Sequence, residues 1–536
     1  MKLFDVKNDK YHMGHLIWDG LRSRPDAVCQ IDAATGESET NASTLRRSVQ
    51  LARCFRRFGV QPGDVLALSG KNHLDLHIPF YAALMIGMPV AGVDPEFKYT
   101  EIKNHFKISL PKIAFCQKEC LEDNLRAIKD LNLDTKLICF GDGEYSMKRF
   151  IEEYDDGDDV TTFEPLDFDL DRIYGWLVST GGTTGMIKLA ALKHRTFFKK
   201  MRELKTMFRF FPRGDEEENQ NREHMPVLHL PPVQWITSFF GALSSPAMRL
   251  TKVMTSAPTT TEHVIDIINK YRPVMAMMGP SMAAGIIKSE KECDLTCFAN
   301  LTLLGAKVHK DIYLQLKKRL RPEVPLHDAY GQTENLGPIL TPNPSGPVGN
   351  CGNCPFDWQK NIKLVDPETG AEIKKPYVKG EMWTKLTGFS EYYNNPEETA
   401  NALTEDGWYK TGDILYRDEE GNYYFVERIK MLIKYRNYHV VPPEVEAVIL
   451  EHPGVHYVSV TSIPHEEDGE HPVACVVKKD GSNVTAQEIK DLVASKLSDS
   501  QQLRGGVVFI DEIPLTSVGK IAYNKLKQIA LTAQRE

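Results

Sequence analysis

The sequence predicts an α/β protein: a large N-terminal domain of α/β layers with a β-rich subdomain, followed by a small mobile α+β C-terminal domain. Three observations carry this. Short apolar runs bounded by turn residues alternate with stretches of helical apolar spacing through to about residue 330, the pattern of parallel strands joined by helical crossovers. From Gly346 the texture changes to short β-like segments rich in Gly and Pro. Beyond Arg428 alternating helical and strand patterns return.

The elements follow in order. Residues 11–21 and 42–58 have helical apolar spacing, 59–64 is a turn, and 65–68 is a short buried strand. Residues 76–86 read as a helix and 89–93 as a strand, and 112–116, 136–140 and 174–178 continue the strand series. The polar, acidic stretch 209–224 has no periodicity and is expected to be a surface loop. Residues 225–230, 274–278 and 301–304 read as strands, and 312–320 as an amphipathic helix with a basic face. Residues 348–358, 362–365, 379–384 and 423–426 are expected to form the β-rich subdomain. After it come a helix at 444–450, strands at 457–463 and 473–477, a helix at 486–497 and a strand at 507–510. The expected domains are 1–428 and 431–536, with the boundary near Arg428 to Lys430.

The chain has 536 residues, 42% hydrophobic and 26% charged, enough for several cores. Its net charge of −8 gives no basic footprint for nucleic acid. The opening M-K-L-F-D-V-K-N-D-K has no apolar core of a secretory signal. Residues 76–93, the most apolar stretch, carry His77, Pro79 and Pro89, so a buried helix running into a strand is expected rather than a transmembrane segment. Ten cysteines are scattered. Cys351 and Cys354 form a C-x-x-C, but no histidine follows at ligand spacing, so reduced thiols are expected.

Residues 179–189 read S-T-G-G-T-T-G-M-I-K-L after an apolar run. Gly181, Gly182 and Gly185 let backbone N–H groups turn toward an anion. Thr180, Thr183 and Thr184 add hydroxyls, and Lys188 adds a mobile charge. This is a phosphate-cradling pattern, distinct from the P-loop of NTPases, which needs Lys beside Ser or Thr. Farther on stand Tyr330-Gly331-Gln332-Thr333-Glu334, then Gly407-Trp408-Tyr409-Lys410-Thr411-Gly412-Asp413, then Arg428, Lys430 and Lys434, and finally Gly519-Lys520-Ile521.

That ordered set resembles the adenylate-forming superfamily of acyl-CoA synthetases, aryl-CoA ligases, nonribosomal adenylation domains and beetle luciferases. It is most similar to insect luciferase-like acyl-CoA synthetases and 4-coumarate-CoA ligase-like enzymes. The resemblance implies ATP, Mg2+ and coenzyme A as cofactors. It implies that Thr180, Gly181, Gly182, Thr183, Thr184, Gly185 and Lys188 hold phosphates. Tyr330 with Gly331 would stack on adenine, Gly305, Ala306 and Lys307 would form the slot's other wall, and Asp328 would accept from the exocyclic amine. Thr333 would contact phosphate and Glu334 would hold Mg2+. Asp413 and Arg428 would take the ribose. Lys520 would bridge the attacking carboxylate and the α-phosphate, and Lys434 would serve the second half-reaction.

Three departures stand out. Gly181, Ile187 and Leu189 replace the Ser, Pro and Gly of the family's T-S-G-T-T-G-x-P-K-G pattern. Asn437 replaces a common Gly. Pro231 to Trp235 lacks the His-His-Gly-Phe-Gly of luciferases, with Pro232, Gln234 and Trp235 as candidate pocket residues. The implied activity is an AMP-forming acyl-CoA synthetase, an acid-thiol ligase, acting on a medium- to long-chain fatty acid or related apolar carboxylic acid. The alternatives are a luciferin-type monooxygenase and a degenerate nucleotide- or acyl-binding protein. The expected location is cytoplasmic. The chain ends Ala533-Gln534-Arg535-Glu536 rather than in an S-K-L tripeptide, which leaves a peroxisomal address as the alternative.

Overall fold

The computed structural model describes residues 9–181, 187–203, 225–354, 356–385, 388–436, 438–515 and 521–536. Two compact units emerge, and both are discontinuous in sequence. Among the described residues the first comprises 9–181, 187–203, 225–354 and 388–404; the second comprises 356–385, 405–436, 438–515 and 521–536. The β-rich segment therefore groups with the C-terminal α+β portion.

The first unit holds two seven-stranded sheets. One runs Glu391–Tyr392, Ile187–Lys193, Tyr174–Gly181, Val90–Val93, Leu66–Ser69, Ile113–Cys116, Lys136–Cys139. It is parallel from Tyr174–Gly181 to Lys136–Cys139 and antiparallel at the other edge. The other runs Leu326–Ala329, Asn300–Leu304, Met275–Met278, Pro226–Leu228, Thr251–Met254, Val28–Asp32, Ser38–Thr40, antiparallel only at the last pair. Four-residue runs such as Val90–Val93 and Ile113–Cys116 are buried throughout, as strands covered on both faces must be. The helix His77–Met85 is buried at every position and runs by way of a turn into Val90–Val93. Among the described residues no helix is long and apolar enough to cross a membrane. Residues 209–224 lie outside the described residues.

In the second unit, an antiparallel sheet runs Glu372–Ile373, Ile362–Val365, Gly380–Thr384, Tyr409–Arg417, Tyr423–Arg428. A further sheet joins Tyr438–Val440, Ile433–Tyr435, Gly469–Lys478 and Val455–His465, with Gly506–Phe509 parallel to Gly469–Lys478. The helices Pro442–Ile449 and Ala486–Lys496 cover it, packing Val445, Ile449, Ile489 and Val493 into one core with Val460 and Val476.

The β expectation at 348–358 fails. Gly349 and Gly352 take φ of +94° and +120°, which breaks a strand. Asn350 ties the turn, donating from Nδ2 to the carbonyls of Asn343 (3.1 Å) and Pro347 (2.7 Å). Phe356–Asn361 is a 3-10 turn. All ten cysteines are free thiols.

Candidate functional site

The glycine-rich stretch sits in a β-hairpin. Ser179 pairs with Leu189, Thr180 with Lys188 and Gly181 with Ile187. Pairing along 187–192 thus carries the ladder as far as Gly181. Gly182, Thr183, Thr184 and Gly185 lie outside the described residues. The hairpin leaves the carboxyl end of a strand whose neighbour, Val90–Val93, runs parallel to it, the end at which open α/β sheets bind ligands.

Lys188 points into a cluster that local sequence does not announce. Its ammonium forms an ion pair with Glu398 and lies 4.9 Å from the centroid of the Tyr392 ring. Tyr392 donates from Oη to Glu334 Oε1 at 2.7 Å, and Glu334 is buried. Two local devices place these partners. The edge strand Glu391–Tyr392 pairs with Ala190 and Ala191, next to Lys188. Asn395 caps the helix Pro396–Ala402, accepting from the Glu398 N–H at 3.2 Å, with Pro at the first position.

Tyr330 follows the last parallel strand, Leu326–Ala329, and is buried. Gly305, Ala306 and Lys307 follow the adjacent strand, whose Leu304 pairs with Ala329. The two segments expected to flank adenine thus leave the same end of neighbouring strands. Gly331 admits no side chain, since a Cβ there would lie 2.2 Å from the Gly337 carbonyl oxygen. The buried Lys200 donates to the Pro338 carbonyl at 3.0 Å and pins that bridge. A 3-10 turn, Thr333–Asn335, then presents Thr333 and Glu334. Burial pushes the Asp328 carboxyl up to about 7, against the pull of Lys307.

The second unit carries the remaining candidates. Asp413 is buried and faces Arg428 across the ladder, with Arg428 Nε 3.2 Å from Asp413 Oδ1. The Asp413 N–H donates to Thr411 Oγ1, and the Gly412 N–H donates to Glu381 Oε1. Gly412 has φ of +69°, which favours glycine at this irregularity in the strand Tyr409–Arg417. Lys430 is exposed in the turn Ile429–Met431 that leaves the strand Tyr423–Arg428. Lys434 is exposed on Ile433–Tyr435, its N–H bound to Glu470 Oε2 at 3.0 Å. Lys520 and Asn437 lie outside the described residues; Leu515 and Ile521, which bracket the former, pair as an isolated bridge.

The pocket candidates lie in the first unit, beyond the strand Pro226–Leu228. Trp235 is half-buried and begins the helix Ile236–Met248, and its N–H donates to the Pro232 carbonyl at 3.0 Å. Pro232 is half-buried and Gln234 is buried. Gly92 lets the segment approach, because a Cβ there would lie 2.6 Å from the Val233 carbonyl oxygen. Tyr392, Glu398 and Lys200 were not singled out from sequence. The distance in sequence from Lys188 to Glu398 explains why no local pattern showed the pair.

Lys188, the buried Glu334 and the glycine hairpin thus gather in an α/β fold at the strand ends where such sheets bind ligands. The AMP-binding enzyme family model matches residues 18–393 and the AMP-binding enzyme C-terminal domain model matches 444–520. The chain belongs to this adenylate-forming family. Luciferin 4-monooxygenase of Photuris pensylvanica is 30% identical over 94% of this chain and 92% of its own length. Peroxisomal OPC-8:0-CoA ligase 1 of Arabidopsis thaliana is 27% identical over 94% and 90%. In fold, the chain is similar to ATP-bound MatB from Rhodopseudomonas palustris, with a TM-score of 0.81 at 21% identity, covering 97% of this chain and 99% of the other.

Proposed function

We propose that the chain is an ATP-dependent, AMP-forming acid–CoA ligase that converts an apolar carboxylic acid, through an acyl-adenylate, to its CoA thioester. One observation carries the reading: Lys188, Tyr392, Glu334 and Glu398 meet in one cluster beside the glycine hairpin. Joining a carboxylate to a triphosphate brings anions together, so the site must supply positive charge in a shielded place. Lys188 supplies it once ATP displaces Glu398. Glu334 and Thr333 offer hard oxygen donors, the chemistry that suits Mg2+, and the ion would neutralise part of the triphosphate charge. Tyr330 and Gly331 would bound adenine with Gly305, Ala306 and Lys307, Asp328 would accept from its amine, and Asp413 and Arg428 would take the ribose hydroxyls.

In this reading Lys520 serves adenylation and Lys434 serves thioester formation. The smaller domain turns at Lys430 to present each in its step. The relatives named as CoA ligases support the second step. The absence of histidine from 231–235 argues against luciferin oxidation. The test is pyrophosphate release with ATP, Mg2+ and a panel of carboxylic acids, with and without CoA. Acid-dependent release with CoA-dependent thioester is expected; no acid-dependent release from the folded protein contradicts the reading.

A further inference from the structure

Two buried side-chain amides meet at the segment 231–235, and the oxygens of both lack a hydrogen-bond partner. Asn72, 8% exposed, donates from Nδ2 to the carbonyls of Leu230 (3.1 Å) and Pro231 (3.2 Å). Its Oδ1 is buried without a hydrogen-bond partner. Gln234 is 5% exposed. Gln234 Oε1 is buried and unpartnered as well. The Asn72 nitrogen already faces two acceptors, so that amide cannot turn over to satisfy its oxygen. On the first turn of the next helix, Thr237 Oγ1 is also buried without a partner.

The place is close to the phosphate hairpin. A Cβ on Gly92 would lie 2.7 Å from Gln234 Cα. The Gly92 carbonyl accepts from the Ser179 hydroxyl at 2.9 Å, and Ser179 is the residue before Thr180. Gln234 therefore sits at the strand ends from which the glycine loop departs.

We propose that these oxygens receive a hydrogen-bond donor carried by the acid, so that the substrate is a hydroxyl- or amino-bearing carboxylic acid with an otherwise apolar skeleton. This rests on the ligase reading above and names its substrate class. Leaving a buried acceptor unmade costs about 1–3 kcal/mol. Water satisfies such groups in an empty site, but an alkyl chain that expels the water strands them. A hydroxyl replaces the water bond for bond. A site built around a donor therefore discriminates strongly against the analogue that lacks it.

The test is calorimetric binding of matched pairs to the full chain: alkanoic acids of graded length, and the same acids bearing a hydroxyl or amino group at the second, third or terminal carbon. At least one substituted acid should bind about tenfold or more tighter than its plain counterpart. Gln234→Met, which keeps the volume and removes the acceptor, should abolish that gap by weakening the substituted acid. Thr237→Val should narrow it. Equal binding within every pair, binding by none, or a preference that survives in Gln234→Met overturns the proposal. Pyrophosphate release from the same mixtures separates the two claims. Preferential binding without release contradicts the ligase reading alone, and release without preference contradicts the substrate class alone.

Discussion

Tyr392 donates its phenolic hydrogen to Glu334 Oε1 across 2.7 Å while its ring lies beneath the Lys188 ammonium, 4.9 Å from the centroid. One side chain thus orients the candidate magnesium ligand and the candidate phosphate cation together. Tyr392→Phe keeps the ring under Lys188 and removes only the hydrogen bond. It should destabilise the fold by about 1 kcal/mol and raise KM for the ATP–magnesium complex about tenfold. Steady-state kinetics with magnesium varied at fixed ATP checks this; an unchanged magnesium dependence contradicts the role given to Glu334.

In the proposed reading Glu398, ion-paired with Lys188, competes with ATP for that lysine. Glu398→Gln removes the competing charge and should lower KM for ATP several-fold. Lys188→Met should lower kcat/KM for ATP by about two to three orders of magnitude, as loss of one electrostatic stabiliser does. Both are read from ATP titrations at saturating acid. A higher KM in Glu398→Gln would mean that the carboxylate positions the lysine rather than restrains it.

Asp413 is buried against Arg428. Asp413→Asn should weaken AMP binding about tenfold or more, since one carboxylate oxygen that accepts from ribose becomes a donor. It should discriminate less between AMP and 2'-deoxy-AMP than the wild type does. Calorimetry with the two nucleotides checks this, and an undiminished preference for AMP would take Asp413 out of the ribose site.

The first unit should lose stability steeply in mild acid. Burial holds His105 down to about 4 and His194 and His229 to about 3, and holds His77 well below the usual imidazole value; Lys252 adds to the shift of His77 and His229. These rings stay neutral when folded and take up a proton near 6.5 when unfolded. Their stability is therefore fully present above that value and falls as pH drops through it, by about 1.4 kcal/mol per pH unit for each ring. Lys252 acts at the other end. Burial lowers it to about 8, so between about 8 and 10.4 the unfolded chain holds the extra proton and stability rises with pH. Melting temperatures from pH 4 to 10 should fall steeply below 6.5 and show a further gain above 8 that is absent in Lys252→Met. A flat profile contradicts this assignment.

The sequence was most legible where burial imposes a pattern. Runs such as Val90–Val93 and Ile113–Cys116 declared themselves because strands covered on both faces must be apolar. The motif residues stood out because binding phosphate, adenine and ribose would each ask for a particular side chain. The hairpin Ile187–Lys193 was only half read: glycines signal a turn but do not say where the ladder resumes. The segment 348–358 was misread because Gly and Pro punctuate short strands and irregular chain alike. Tyr392, Glu398, Lys200 and Asn72 acquire their roles from contacts far apart in sequence, which no local periodicity encodes.

The central claim, one adenylating centre served in turn by two lysines, is tested most directly by separating the half-reactions. Lys520→Ala and Lys434→Ala are each assayed for acid-dependent pyrophosphate release and for conversion of supplied acyl-AMP and CoA to thioester. The account predicts that Lys520→Ala loses about two to three orders of magnitude in adenylation and keeps thioester formation, while Lys434→Ala shows the reverse. Adenylation at the normal rate in Lys520→Ala, or equal loss of both steps in either folded variant, would contradict it.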